Sequence, residues 1–349
     1  MKDIRVYDFE FNLLCIMCDV TSVQWHILYD DVGTFEGHFS LNDEISNIIL
    51  SHRYIVITQG ENQAICTGKI VDNELIVCGR TVNWILSKRV RPPFKSKDIF
   101  GENYTDPETI LLYCLEKGFT KPPQIDDDGY EIADSIDEDK MVENFIIPEK
   151  AGADKLTSHF WRISANELTK LCSDLCKKLD RGYRVVFDVV NRQWVFEFIY
   201  SRLNNILIST VSKTAYDMSY TEDMLGLASG GWYFVEDTEE DGSQAKWHYI
   251  KKEDKKGIYA WDCVMNVSGI SEAEDTLKKK KITQSVEAKL RKLKYNRDYF
   301  MGDIIPVYIK LGEYELLKNY KVEGIDIQMS QNECYEQPIL KPLEDGVIS

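Results

Sequence analysis

Gly33-Thr34-Phe35-Glu36-Gly37-His38-Phe39-Ser40-Leu41 is the stretch on which the reading of this fold turns. Phe35, Gly37, Phe39 and Leu41 fall on one side and Thr34, Glu36, His38 and Ser40 on the other, the period of two that a half-buried strand requires. Upstream, Ile4 and Val6 pair in pattern with Leu13 to Met17 as a hairpin turning near Phe9-Glu10-Phe11-Asn12. Downstream, 54–58, 63–71 and 73–79 read as three short strands, with Gly60-Glu61-Asn62 and Asp72-Asn73 at the turns. Far along the chain, Phe300-Met301-Gly302-Asp303-Ile304-Ile305-Pro306-Val307 has the same turn-and-strand grammar, that of a small antiparallel barrel. Ile55-Val56-Ile57 followed by Gly68-Lys69-Ile70 is echoed by Val307-Tyr308-Ile309 followed by Gly324-Ile325-Asp326.

With 349 residues the chain is long for one core, so two or three domains are expected. No apolar run reaches the roughly 20 residues of a membrane span. Met1-Lys2-Asp3 runs straight into a strand pattern without a signal-peptide hydrophobic region, which predicts assembly in a cytoplasm. The nine cysteines are scattered and odd in number, unlike a disulfide framework. Against 58 acidic side chains stand 42 basic ones, and a net charge of −16 repels phosphates, disfavouring nucleic-acid binding through a basic patch.

Between the two strand-rich ends, 84–90 reads as a short helix stopped by Pro92-Pro93. A second helix, 107–117, has Asp106 as cap, Pro107 at its first position and Gly118 past its end. Residues 124–143 are strongly acidic and read as a solvated loop or insertion. Ser164-Ala165-Asn166-Glu167 is a capping box before Leu168, Leu171, Cys172, Leu175 and Leu179 on one helical face. A hairpin follows around Asn191-Arg192, then strands at 207–211, 231–236, 245–251 and 257–264, with Asp241-Gly242 as a turn. Ser271-Glu272-Ala273-Glu274 is a second capping box, opening a helix expected to carry Lys289, Arg291, Lys292 and Lys294 at its far end. Strands return at 304–310, 314–318 and 320–329.

Chemistry-bearing motifs are scarce. Cys15-x-x-Cys18 lacks the further ligands of a zinc site, and Asp126-Asp127-Asp128-Gly129 lacks the acids of a calcium loop at the required positions. No zinc-protease helix or serine-hydrolase elbow occurs, and Gly226 to Gly231 lacks the Lys-Ser/Thr of a phosphate loop. A two-carboxylate glycosidase needs a pair that nothing in the sequence singles out. The aromatics Trp232, Tyr233, Phe234, Trp247, Tyr249, Tyr259 and Trp261 read either as a sheet core or subunit contact, or as a sugar-stacking platform of Trp232, Trp247 and Trp261.

Ile4-Arg5-Val6-Tyr7-Asp8, Asn12-Leu13-Leu14, Trp25, Gly33-Thr34-Phe35-Glu36, Phe39 and Leu41 resemble the N-terminal signature of a siphophage minor tail protein family. Cys66 to Ile70, Leu75 to Arg80 and Trp84 to Arg89 continue the likeness, and Met301-Gly302-Asp303-Ile304 through Val322-Glu323-Gly324-Ile325 is similar to the family's closing barrel segment. The resemblance implies a tail-tip hub related to contractile-phage baseplate hubs and to the N-terminal part of tail-associated lysins. The implied fold is α+β, mainly β, with two tube-like antiparallel β-barrel domains carrying helical and loop insertions. Its expected division is a first barrel over 1–98, a helix with the acidic insertion over 99–160, a helix and antiparallel sheet over 161–270, and a helix with the closing strands of a second barrel over 271–349.

The implied role is structural, without catalysis, cofactor or metal: a homotrimer in the virion tail tip, joining the tail tube to distal tail, fibre or spike proteins around a channel that DNA passes without specific binding. Trp25, Gly33, Phe35, Gly302 and Asp303 are then the expected barrel-building residues. The alternatives are a tail-attached module that binds or hydrolyses cell-wall glycan, and a cytosolic assembly factor absent from the finished particle.

Overall fold

The strand read from 33–41 is present. In the computed structural model, which describes residues 3–91, 106–151, 166–237, 244–267, 269–330 and 333–343, it runs Thr34–Phe39 (β4) with Phe35, Gly37 and Phe39 buried. It pairs on one side with Val20–Leu28 (β3), Trp25 lying directly across from Phe35, and on the other with Leu75–Thr81 (β7). The ladder continues through Asn62–Val71 (β6), Ile55–Gln59 (β5) and Ile4–Asp8 (β1) to Leu13–Met17 (β2).

A helix that the sequence reading missed, Asp43–Ser51 (α1), crosses between β4 and β5. Asn42 Oδ1 accepts from the amides of Glu44 and Ile45, and Lys69 Nζ caps the far end on the Ile49 carbonyl at 2.5 Å.

The second strand-rich end does not form a separate sheet. Asp303–Leu311 turns through Gly312 into one long strand, Tyr314–Ser330, where two strands had been expected. The first half of that strand pairs with Asp303–Leu311 and its second half with β3, from Gly324 opposite Leu28 to Ser330 opposite Ser22. Cys334–Pro342 lies along its other edge. Both halves of the chain therefore enter one 13-stranded sheet, and its hydrogen-bonded ladder does not close into a barrel among the described residues.

Helices and a hairpin fill the middle of the sequence. Pro107–Leu115 (α2) is capped by Asp106 as expected, and ends in a wider turn over Glu116–Thr120. Leu168–Lys178 (α3) begins after Glu167, whose side chain makes no capping bond; Ser164 and Ala165 of the expected box lie outside the described residues. α2, α3, the turn Val82–Lys88 and the hairpin Gly182–Asp188 with Gln193–Ile199 enclose a core that includes Leu111, Cys114, Leu175, Tyr183, Phe187 and Phe196.

By contact density the chain divides into one unit of residues 1–218 and 287–349 and another of 219–286. In the second, Gly230–Asp237 pairs antiparallel with Gln244–Lys251 and parallel with Asp262–Met265, while Ile270–Lys279 (α4) packs through Ala273 and Leu277 on Tyr233 and Met265. The turn expected at Asp241-Gly242 lies outside the described residues.

Two expectations are overturned here. The helix expected to reach Lys294 stops at Lys279, with Gly269 rather than Ser271 at its cap, and Thr283–Leu290 is a strand whose alternate residues Val286 and Ala288 are buried. Residues 207–211 contribute only a single bridge, Ile208 to Val307, instead of a strand.

Candidate assembly and binding sites

Trp25, Gly33 and Phe35 form one constellation. The Trp25 indole is 1 % exposed, lies 4.4 Å from the Phe35 ring and donates from Nε1 to Gln59 Oε1 at 2.8 Å, so an aromatic pair on β3 and β4 is pinned to β5. Gly33 is where the chain enters β4. Its amide donates to Thr81 Oγ1 at 2.9 Å, its carbonyl accepts from the Thr81 amide, and a Cβ there would stand 1.9 Å from the His26 carbonyl oxygen. Only glycine lets the two backbones approach this closely.

Gly302 and Asp303 form a second constellation. Gly302 has φ +83 and donates to the Val322 carbonyl, a left-handed turn that starts the strand Asp303–Leu311. Asp303 is fully buried and accepts from Arg202 Nε at 2.5 Å, Asn204 Nδ2 at 2.8 Å and the Phe300 amide at 2.9 Å. The carboxylate thus ties segment 202–204 to the strand, while the Arg202 guanidinium lies 4.3 Å over the Phe300 ring.

Sequence reading missed Tyr29, which stands next to this turn. Its amide donates to the Glu323 carbonyl, its carbonyl accepts from the Tyr183 amide and its hydroxyl donates to the Ile199 carbonyl at 3.1 Å. Above the ring, 4.3 Å from its centroid, Lys321 Nζ bonds Asp180 Oδ1 at 2.7 Å. Burial pulls the Lys321 ammonium down, but the Asp180 and Tyr29 bonds more than offset it and its pKa is raised. A tyrosine joined to partners 150 or more residues away carries no sequence signal, because none of those contacts is local.

Most of the acidic segment 124–143 is exposed, as its composition implies, with Glu131 as the exception. Glu131 is almost buried and pairs with the fully buried Arg91 at 2.5 Å and with Lys117 at 3.7 Å. Burial and then the Glu131 charge push the Tyr113 hydroxyl up to about 12, and burial, opposed by Arg91 and aided by the Glu131 charge, does the same to the Cys114 thiol. Burial also lifts the Cys172 thiol well above its usual range. These cysteines are packing groups rather than nucleophiles.

A cleft of about 1000 Å3 opens in the larger unit between β1, the turn Gly60 to Gln63 and the hairpin strands Gly182–Asp188 and Gln193–Ile199. Its cations are partly matched: Arg184 bonds Glu197 at 2.7 Å, and Arg202 is held by Asp303. Among the described residues, no group of three His, Cys, Asp or Glu side chains stands close enough to hold a metal ion.

Of the three tryptophans read as a sugar platform, the structure puts Trp232 and Trp247 on the same face of the small sheet, the face away from α4. Trp232 lies opposite Tyr249, with ring centroids 4.9 Å apart, and Phe234 opposite Trp247 at 5.3 Å. Trp261 directly precedes the third strand, and its Nε1 donates to the Ile258 carbonyl at 2.8 Å. Tyr233, grouped with them in the sequence reading, points the other way into the α4 core.

Whole-chain likenesses extend these local observations. A tail protein gp18 of a Listeria monocytogenes EGD-e prophage superposes with a TM-score of 0.52 at 14 % identity, over 99 % of this chain and 96 % of its own. The 43 kDa tail protein of prophage MuSo2 from Shewanella oneidensis gives 0.53 at 9 % identity, over 97 % and 98 %. A tail protein from Neisseria meningitidis MC58 gives 0.52 at 11 %, over 99 % and 97 %. At such identities the likeness is one of fold, and it spans both proteins nearly end to end. No curated protein matches the chain. Residues 3–240 match the Siphovirus ReqiPepy6 Gp37-like proteins, and the chain belongs to that family.

Proposed function

We propose that this chain is a structural subunit of a bacteriophage tail, a trimeric hub at the tail tip that joins the tail tube to distal or fibre proteins and surrounds the path of the DNA. The observation that carries this reading is the near-complete mutual coverage between the fold of this chain and those of prophage tail proteins.

A second observation bears on the expected pair of barrels. In the sequence echo, Gly68 and Gly324 occupy matching places: each sits at a register shift in a long strand that follows an antiparallel partner, β6 after β5 and Tyr314–Ser330 after Asp303–Leu311. Two similar halves of one sheet in each of three subunits would meet a sixfold tube, and ring closure would turn sheet edges into subunit contacts. The −16 charge suits a conduit from which DNA must slide free.

Native mass measurement tests the reading. A species of about three times the 40.5 kDa chain mass is expected, either for the purified protein or in a tail-tip preparation. A chain that stays monomeric at high concentration and is missing from purified tails would overturn it.

A further inference from the structure

We infer that the open face of the sheet in residues 219–286 is a carbohydrate-binding platform, on which Trp232, Trp247 and Tyr249 stack against sugar rings and Asp262 accepts bonds from sugar hydroxyls. The inference rests on the geometry of this unit alone and is independent of the trimeric hub.

Alternation in the three strands separates two faces. Tyr233 and Met265 are covered by α4, whereas Trp232 is 43 % exposed, Trp247 56 % and Tyr249 37 %. Aromatic rings dominate the open face, and they present flat π surfaces suited to the C–H faces of a pyranose.

The rings are also held in place. The Tyr249 hydroxyl donates to Asp262 Oδ1 at 2.8 Å, reaching it across Gly230. A Cβ on Gly230 would stand 2.1 Å from the Tyr249 oxygen, so this glycine keeps the bond possible. The Asp262 bond in turn raises the Tyr249 pKa, keeping the phenol a donor. Register puts Asp262 beside Gly230 on the same face as Trp232, and Lys251 opposite Gly230 at the end of the row. A carboxylate receiving one bond retains further acceptor sites, and Lys251 supplies donors.

This mixture selects the occupant. A carboxylate set among the rings would be costly to bury in lipid, and charged groups are depleted from the centres of protein interfaces. Flat rings beside an oriented carboxylate and an ammonium match a polyhydroxylated ligand, whose apolar ring faces and hydroxyl edges need both.

The purified full-length chain is titrated, with calorimetry and tryptophan fluorescence, against neutral oligosaccharides of glucose, galactose and N-acetylglucosamine and against phosphatidylglycerol vesicles. Saturable binding to at least one oligosaccharide is expected. It should weaken by about tenfold or more in Trp232→Ala and Trp247→Ala, weaken in Asp262→Asn and Gly230→Ala, and stay unchanged in Trp84→Ala. Independently of any variant, the bound sugar should protect Trp232 and Trp247 of the unaltered protein from oxidative labelling read by mass spectrometry. Absence of binding to every oligosaccharide, binding without protection of these two indoles, or retention on the vesicles alone would overturn the inference. A trimer without sugar binding would remove this inference and leave the hub standing; sugar binding by a chain that stays monomeric and is missing from purified tails would do the reverse.

Discussion

At the scale of single residues, the side chains that hold the larger unit together act across long sequence separations. Gly33 is the sharpest case. In Gly33→Ala the new methyl would meet a backbone carbonyl, His26 O, that is fixed in the β3 ladder, so β3 or β4 must shift. A loss of about 2 kcal/mol or more is expected in urea unfolding, the usual range for forced overpacking; a change within about 0.5 kcal/mol, typical of neutral surface sites, would show that the approach is looser than drawn. Asp303 acts differently, as the acceptor of three converging donors. Asp303→Ala should cost about 2–3 kcal/mol, below the full penalty of breaking a buried pair because Arg202 is 57 % exposed and can turn to water. Asp303→Asn, which keeps an acceptor, should recover part of that loss in the same unfolding experiment.

At the scale of elements, legibility followed locality. Period-two strands such as β4 and the Asp106-capped α2 were readable because their signals lie within a few residues. α1 escaped notice because its short amphipathic run sits between strands and is capped at its far end by Lys69, which comes 18 residues after the helix ends. The segment Thr283–Leu290 reads as a helix because Lys289 and the following Arg291, Lys292 and Lys294 suit a helix C-terminus, while the burial of Val286 and Ala288 that makes it a strand is set by tertiary pairing. Of the candidate sites, the Trp25 and Phe35 pairing could be guessed from strand grammar, but Tyr29 and the Tyr249 to Asp262 bond could not.

His38 on β4 bonds Glu36 at 3.0 Å and Glu74, next to β7, at 2.8 Å, and these two carboxylates raise its pKa. A histidine raised above its unfolded value of 6.5 contributes stability that is fully present below that pH and fades as the pH climbs through the folded value. The melting temperature of the unaltered protein should therefore exceed that of His38→Gln by more at pH 6 than at pH 8.5. An equal gap at both would show that the cross-strand bridge contributes nothing through protonation.

At the scale of the molecule, the long strand Tyr314–Ser330 decides how the larger unit behaves. It carries Asp303–Leu311, Cys334–Pro342 and β3 on its two edges, so the N-terminal sheet and the C-terminal strands share a backbone ladder instead of meeting at an interface. Sharing a strand couples their stabilities, since neither can open without breaking bonds of the other. Amides of β3 and of Cys334–Pro342 should then fall in one slow hydrogen-exchange class, with the sheet of Gly230–Asp237 and Gln244–Lys251 exchanging as a separate group, because it belongs to the other unit. The decisive variant is Ile327→Pro. Ile327 lies between Trp25 and Glu336, and proline removes its ladder donor in the middle of the sheet, where proline is essentially not found. Exchange should speed up together in β3, β4 and Cys334–Pro342 while the 219–286 group keeps its rate; acceleration confined to Cys334–Pro342 would mean that the two halves are joined in space but not in energy.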